Sequence, residues 1–139
     1  MADIWIQGSF AFRCTAAECA LIEEVANAGY ALANDDAPDP PSAALLAAFP
    51  PDDANARWSG FREAFNDPEF PTIGADFIAE PCPDDPSARI VCFASMDDFD
   101  AAAIAVVIQR CCPETLAKGP IGFEWAMTCS KPRIGEFGG

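Results

Sequence analysis

Residues 4–14, IWIQGSFAFRC, constrain the fold more than any other stretch of this chain. Ile4, Ile6, Phe10, Phe12 and Cys14 alternate with Trp5, Gln7, Ser9 and Arg13. A period of two places each set on its own face of a half-buried strand. Directly after it, Thr15-Ala-Ala-Glu18 is a capping box: the threonine hydroxyl and the glutamate carboxylate each satisfy a backbone N–H that has no partner at a helix start. A helix is expected from there to about Gly29, with Leu21, Ile22 and Val25 on its core face.

From residue 34 to 56 the chain reads NDDAPDPPSAALLAAFPPDDANA, five prolines and five aspartates around one apolar run at 43–49. That is the composition of a surface excursion. Asp53 is placed to cap a helical stretch over about 54–66, in which Trp58, Phe61 and Phe65 recur at helical spacing while Arg57, Arg62 and Glu63 face away. Core packing is the plain reading of this aromatic stripe, and a partner surface is the other. Residues 72–80, TIGADFIAE, and 88–95, ARIVCFAS, read as strands joined by the turn PCPDDP into a hairpin-like pair.

Ser95 or Asp97 then caps a further helix in which Phe99, Ala103, Val106, Val107 and Arg110 lead to Cys111-Cys112. Pro113 bars its clean continuation, and Asp97, Asp98 and Asp100 suit the positive end of its dipole. A last strand over about 121–129 puts Phe123, Trp125, Met127 and Cys129 on one face and Glu124, Ala126 and Thr128 on the other. The resulting expectation is a single α+β domain over 1–139 with an acidic, Pro-rich excursion at about 34–56. Its order, β-α-α-β-β-α-β, is that of a ferredoxin-like split βαβ fold with a four-stranded antiparallel sheet and helices on one face. An antiparallel meander is the competing topology. Trp5, Gln7, Ser9, Arg13, Glu124 and Thr128 would lie on the open face of the sheet.

Charge narrows the class of partner. The chain carries 22 acidic and 8 basic residues, net −14, and residues 1–109 alone hold 19 acids against Arg13, Arg57, Arg62 and Arg89, net −15. A field of that sign repels phosphates and anionic membranes and favours basic surfaces. Direct nucleic-acid binding and membrane association are therefore not expected, and no apolar run nears the ~20 residues of a membrane span. With 139 residues, 51% of them hydrophobic, the chain has the length and apolar content of one folded domain. Its seven cysteines include no Cys-x-x-Cys pair and follow no secretory signal, so they read as reduced thiols of a cytoplasmic protein.

Catalytic templates find little purchase. The chain has no histidine, which removes the commonest general base and metal-ligand nitrogen. Cys129, near Lys131 and Arg133, is the one cysteine in a locally positive setting, but it falls on the apolar side of its strand, where a thiol is inert. Cys111 and Cys112 are adjacent and would point apart on a helix, while Cys14 and Cys19 straddle a strand-to-helix junction, so no metal site is expected. The clusters Asp35-Asp36-Ala-Pro-Asp39, Asp52-Asp53, Asp84-Asp85 and Asp97-Asp98-Phe-Asp100 lack the alternating ligands and central glycine of a calcium loop. Gly135, Gly138 and Gly139 do not sit between a strand and a helix, as a phosphate loop requires. No cofactor is expected, and an enzyme resting on the Cys129 thiol is the third reading, behind two binding roles.

The ending, Gly122-Phe-Glu-Trp-Ala-Met-Thr-Cys-Ser-Lys-Pro-Arg-Ile-Gly-Glu-Phe-Gly-Gly139, resembles the ending of small proteins encoded in bacteriophage, plasmid and bacterial genomes, with a FEWAxTCSKxRxxEFGG-type motif. The resemblance implies a phage or mobile-element context and no particular reaction. It marks Glu124, Trp125, Thr128, Cys129, Lys131, Arg133 and Glu136 as a unit.

Together these features lead to the expectation of a non-enzymatic binding protein. It would present Asp35, Asp36, Asp39, Asp52, Asp53, Asp84, Asp85, Asp97, Asp98 and Asp100 to a host protein with a basic surface, as an inhibitor of host defence would. The alternative is a small-ligand or peptide-binding module built on the open sheet face, with Trp5, Arg13, Glu124 and Thr128 beside the Lys131/Arg133 loop and Glu136. Homodimer formation is left open.

Overall fold

The computed structural model describes residues 4–129, and only the backbone of Thr128 and Cys129. Lys131, Arg133 and Glu136 lie outside the described residues. The elements are β1 (Ile4–Thr15), α1 (Ala16–Ala33), α2 (Ala43–Ala48), α3 (Ser59–Glu63), β2 (Asp76–Cys82), β3 (Asp85–Ser95), α4 (Ala101–Cys111), α5 (Pro113–Lys118) and β4 (Trp125–Cys129). The chain is thus α+β, with five helices and one four-stranded antiparallel sheet among the described residues, ordered β2-β3-β1-β4.

β3 pairs antiparallel with both β1 and β2, so β1 and β2 run in the same direction with β3 between them. β4 closes the other side, pairing Ile4 to Gly8 with Cys129 to Trp125. The register sorts side chains by face, because directly opposed residues of an antiparallel pair point the same way. Phe10 faces Phe93, Phe12 faces Val91 and Phe77 faces Phe93, and these join α1 and α4 in the core through Ile22, Val25, Ile104 and Val107. Phe123 stacks on Phe10 with centroids 4.4 Å apart and meets Phe99 edge-on. Phe123 therefore packs inward although it lies before β4, which begins at Trp125 and not at 121.

The capping box forms as expected: Thr15 Oγ1 accepts from Glu18 N at 3.1 Å, and Glu18 Oε1 accepts from Thr15 N at 3.0 Å. Gly29 does not stop the helix, which runs on to Ala33. A Cβ at Gly29 would come within 2.3 Å of the Pro71 carbonyl oxygen, so glycine there serves close packing of α1 against the 71–72 backbone.

Five further features differ from the sequence reading, each for a local reason. The excursion at 34–56 is anchored: Leu45 and Phe49 are fully buried. Ser42 caps α2 and hydrogen-bonds Glu24 through both its amide and its hydroxyl. Asp53 caps no helix. Its carboxylate takes the Asn55 amide in a tight turn, and helical structure is confined to α3, with Phe61 and Phe65 in the core. Residues 72–75 are not strand: Gly74 adopts φ +61 beside Asp100, a left-handed backbone that interrupts the extended run. Ser95 caps a turn, taking the amides of Asp97 and Asp98, and Asp100 is the N-cap of α4. The turn between β2 and β3 contracts to Pro83 and Asp84, so the hairpin is longer than expected.

α5 is an element the sequence reading did not contain. Cys112 leaves the α4 spiral at φ −120, ψ 49 and serves as the N-cap residue of α5, with Pro113 in its first turn. Pro113 thus ends one helix and opens the next, where its missing N–H costs nothing.

Candidate functional site

Helices cover one face of the sheet. On the other, the register aligns Gln7 with Ala126, Ser9 with Ala94, Ala11 with Cys92 and Arg13 with Ile90. The same face continues onto β2 through Asp76 beside Ala94, Ile78 beside Cys92 and Glu80 beside Ile90. Three large apolar side chains stand exposed there: Trp5 at 37%, Ile90 at 41% and Ile78 at 59% of their full accessible surface. Small residues at 11, 94 and 126 lie between them beside Gln7, Ser9 and Cys92, so the centre of the face is low and mixed in polarity. Ile78 and Ile90 lie near each other on adjacent strands, and a paired exposure of that kind marks a surface open to another molecule; Trp5 stands apart from them near the far end of β1.

The rim of this face is acidic on its β2 side, where Asp76 and Glu80 flank Ile78. Arg13 is the cation that the sequence places here, and it is engaged: its two terminal nitrogens lie 3.4 Å from Asp84 and 3.3 Å from Asp85 at the hairpin tip. Asp85 is held below the usual carboxylate range, first by the Ser87 hydroxyl and amide and then by Arg13.

The expected binding set does not form one cluster. Trp5 and position 128 are paired in register at one end of β1, whereas Arg13 lies eight residues along the same strand, roughly 26 Å away. Glu124 is exposed and precedes β4. Trp125 falls on the helix side by register, opposite Gly8, yet remains 40% exposed at the sheet edge.

The ten aspartates also separate. Asp35, Asp36, Asp39, Asp52, Asp53, Asp84, Asp97 and Asp98 are exposed, while Asp85 and Asp100 are half-buried. Asp53, Asp85 and Asp100 accept backbone amides in turns or caps. Asp97 and Asp98 meet two acids that the sequence reading did not single out, Glu23 and Asp76, around a groove of about 870 Å³. The groove runs between α1 and the helix side of β2, whose Phe77 and Ala79 form its floor with Ala26 and Ile73. Glu23, Ala26, Asn27 and Tyr30 reach it from one side of α1 by their helical spacing. No local pattern signals this groove, because Glu23, Asp76, Asp97 and Asp98 lie in separate segments that only the tertiary fold brings together.

Opposite this groove, at the junction of β1, α1 and α5, sits the buried charge Glu18. Besides the Thr15 amide, its carboxylate accepts from the amides of Glu114 and Thr115 at 2.9 and 3.2 Å and from the Thr115 hydroxyl at 2.5 Å. Burial works to raise its pKa, yet the hydrogen bonds from Thr115, Thr15 and Glu114 outweigh it and hold the group below its ordinary value. One carboxylate thereby satisfies orphan amides at the starts of two helices, a structural role for which every acceptor lobe is used.

Around it lie Cys14, Cys19, Cys111 and Cys112, all buried, Cys112 because it has left the helix and turns inward with its neighbour. Burial pushes the thiols of Cys14 and Cys111 up to about 12, and Cys112 also upward, with Glu18 adding to each. Thiols in that state are neither nucleophiles nor ready metal ligands. Among the described residues no three Cys, Asp or Glu side chains are placed to hold a metal ion. No described helix is long and apolar enough to cross a membrane.

No protein-family model, no curated protein and no solved structure matches this chain.

Proposed function

We propose that this protein is a non-enzymatic binding module that docks through the open face of its sheet onto a partner protein with a basic surface. The observation that carries the reading is the exposed pair Ile78 and Ile90 on adjacent strands, flanked by Asp76 and Glu80, with Trp5 exposed on the same face near the far end of β1, on a chain of net charge −14. Burial of Ile78 and Ile90 supplies affinity, and the flanking acids and overall field supply fast, salt-sensitive encounter with a cationic surface. In this reading the fold is the ferredoxin-like split βαβ arrangement. Its support is the insertion of β3 between β1 and β2, and of β1 between β3 and β4, with α1 and α4 as the connecting helices.

The phage-like ending favours a cytoplasmic role in which a basic, nucleic-acid-binding surface of a host defence protein is occupied and blocked. Nothing in the described residues favours the small-ligand reading comparably, since Arg13 is already paired and stands far from Trp5. The test is capture from host lysate on immobilised protein at low salt, run beside a Trp5→Ser/Ile90→Ser variant. Partners retained by the wild type, released by salt and lost from the variant support the reading; partners bound equally by both overturn it.

A further inference from the structure

β2 is an edge strand: among the described residues its outer side pairs with nothing, and Asp76, Ile78, Ala79 and Glu80 are exposed. An unpaired strand edge offers a row of backbone donors and acceptors to any extended chain. Here the edge is open from both faces, because the helix layer leaves the groove of about 870 Å³ beside Phe77 and Ala79 instead of covering them. That groove is lined by Glu23, Asp97 and Asp98 as well as Asp76, with no Lys or Arg among its lining residues.

We propose that β2 receives an extended segment of the partner as a fifth strand, and that the segment carries the pattern basic-x-apolar-x-basic. The pattern follows from the register. On the open face Asp76, Ile78 and Glu80 recur every second residue, and a strand laid alongside presents its own side chains at the same period, each against a direct neighbour. A cation opposite Asp76, an apolar side chain opposite Ile78 and a cation opposite Glu80 satisfy all three. The intervening positions point to the other side, over Phe77 and Ala79 and toward Glu23, Asp97 and Asp98, where small or basic side chains fit. Pro81 lacks a backbone donor and limits the pairing to 76–80.

A second copy of the chain is the wrong occupant. Pairing β2 with β2 antiparallel sets Asp76 and Glu80 of each copy against those of the other, and like charges directly opposite destabilise a pair of strands. A cationic segment of a partner meets the same positions without that repulsion. The inference rests on the proposed function for the basic character of the partner and shares Asp76, Ile78 and Glu80 with it; the backbone edge and the groove are its own, and Trp5 and Ile90 belong to the open face alone.

The probe is a fluorescein-labelled nine-residue peptide centred on Lys-Thr-Val-Thr-Lys, followed by anisotropy and by amide exchange at 76–80 in the intact protein. The peptide is expected to bind and to protect amides within 76–80, and its Glu-Thr-Val-Thr-Glu counterpart not to bind. Asp76→Asn and Glu80→Gln should each weaken it about threefold, with Asp35→Asn/Asp36→Asn leaving it unchanged. The decisive arm is backbone N-methylation of the peptide at alternate residues in two complementary sets, since a strand paired on one side uses every second amide. Loss of binding from one set alone supports strand addition; binding kept by both, or lost equally from both, overturns it. Amides within 76–80 that point away from β3 and are already protected in the free protein also overturn it. If the peptide fails while lysate capture still depends on Trp5 and Ile90, strand addition falls and the open-face reading stands; the converse sinks only the open-face reading.

Discussion

The two faces of the sheet are built from the same strands by the same alternation, and they end in opposite states. Phe93 and Ile90 lie three residues apart on β3; the first is fully buried against Phe10 and Phe77, the second is 41% exposed beside Arg13 and Glu80. Both are large and apolar, so hydrophobicity alone does not decide which side becomes the core. Helices α1 and α4 decide it, because they carry Ile22, Val25, Ile104 and Val107 toward Phe93 and bring nothing to Ile90. Apolar surface left over after the core is complete is surface the fold does not use, and that is what makes the Ile90 side a candidate for another molecule.

The contrast breaks most severely on the covered side. Phe93→Ala removes a ring at the meeting point of Phe10, Phe12 and Phe77, in a place the surrounding strands cannot collapse to fill. A loss of about 3–5 kcal/mol is expected by urea unfolding. A loss under about 1 kcal/mol would mean that the aromatic layer is loosely packed and that the two faces differ less than their burial indicates.

Glu18 comes next, since it is the one charged residue that the buried side accepts among the described residues. Glu18→Gln keeps the size of the side chain but turns one acceptor into a donor, which faces either the Thr15 amide or the amides of Glu114 and Thr115. An orphaned amide costs about 1–3 kcal/mol. Because the folded carboxylate titrates below its ordinary value of 4.5, its contribution is fully present above the unfolded pKa and is lost as the pH falls through the folded one. Wild type and Glu18→Gln should therefore converge in stability as the pH drops below about 4.5, a trend that urea midpoints across pH 3–7 would reveal. A gap that stays constant over that range would sink the hydrogen-bonding account of Glu18.

The α4 cap offers a smaller effect of the same kind. Asp100 accepts the Ala103 amide at 3.0 Å, and Asp100→Ala should cost about 1 kcal/mol in urea unfolding, whereas Asp97→Ala, one turn earlier in the exposed segment, should stay within about 0.5 kcal/mol. Equal losses from the two would return the cap to the position the sequence suggested.

These cases also show which parts of the molecule a linear reading could reach. Strand β1, the Thr15/Glu18 box and the β2–β3 hairpin were legible because their signals are local: a period of two, a three-residue spacing, a turn rich in proline and aspartate. Ser95, Asp97 and Asp100 are all good caps by residue type, and only the closeness of Gly74 to Asp100 and the bonds from residues 97–99 to Ile6 settle which of them starts α4. The same limit explains Gly29, read as a stop and used as a contact, and the second half of Glu18's role, since the amides of Glu114 and Thr115 lie 96 and 97 residues away in sequence. For the site, Trp5 and Arg13 were correctly assigned to the open face, but their separation along β1 and the capture of Arg13 by Asp84 and Asp85 belong to the hairpin geometry. Ile78 and Ile90 carry no outward mark in the sequence; apolar strand residues read as core until the helices are seen to cover only one side.

The smallest expected effect is the most informative about that side. Ile78→Ser/Ile90→Ser replaces two exposed branched side chains on strands whose pairing is made by the backbone. Their β-propensity is partly lost with them, and the apolar area they gave up to water in the folded state is no longer exposed. The two changes oppose each other, so folding stability should move by no more than about 0.5 kcal/mol. Measured by urea unfolding, a loss of 2 kcal/mol or more would show that these residues pack against something within the protein, and the open face would cease to be open. A near-zero change, together with loss of the salt-released partners in the capture experiment, would separate what this sheet needs to fold from what it holds out to another molecule.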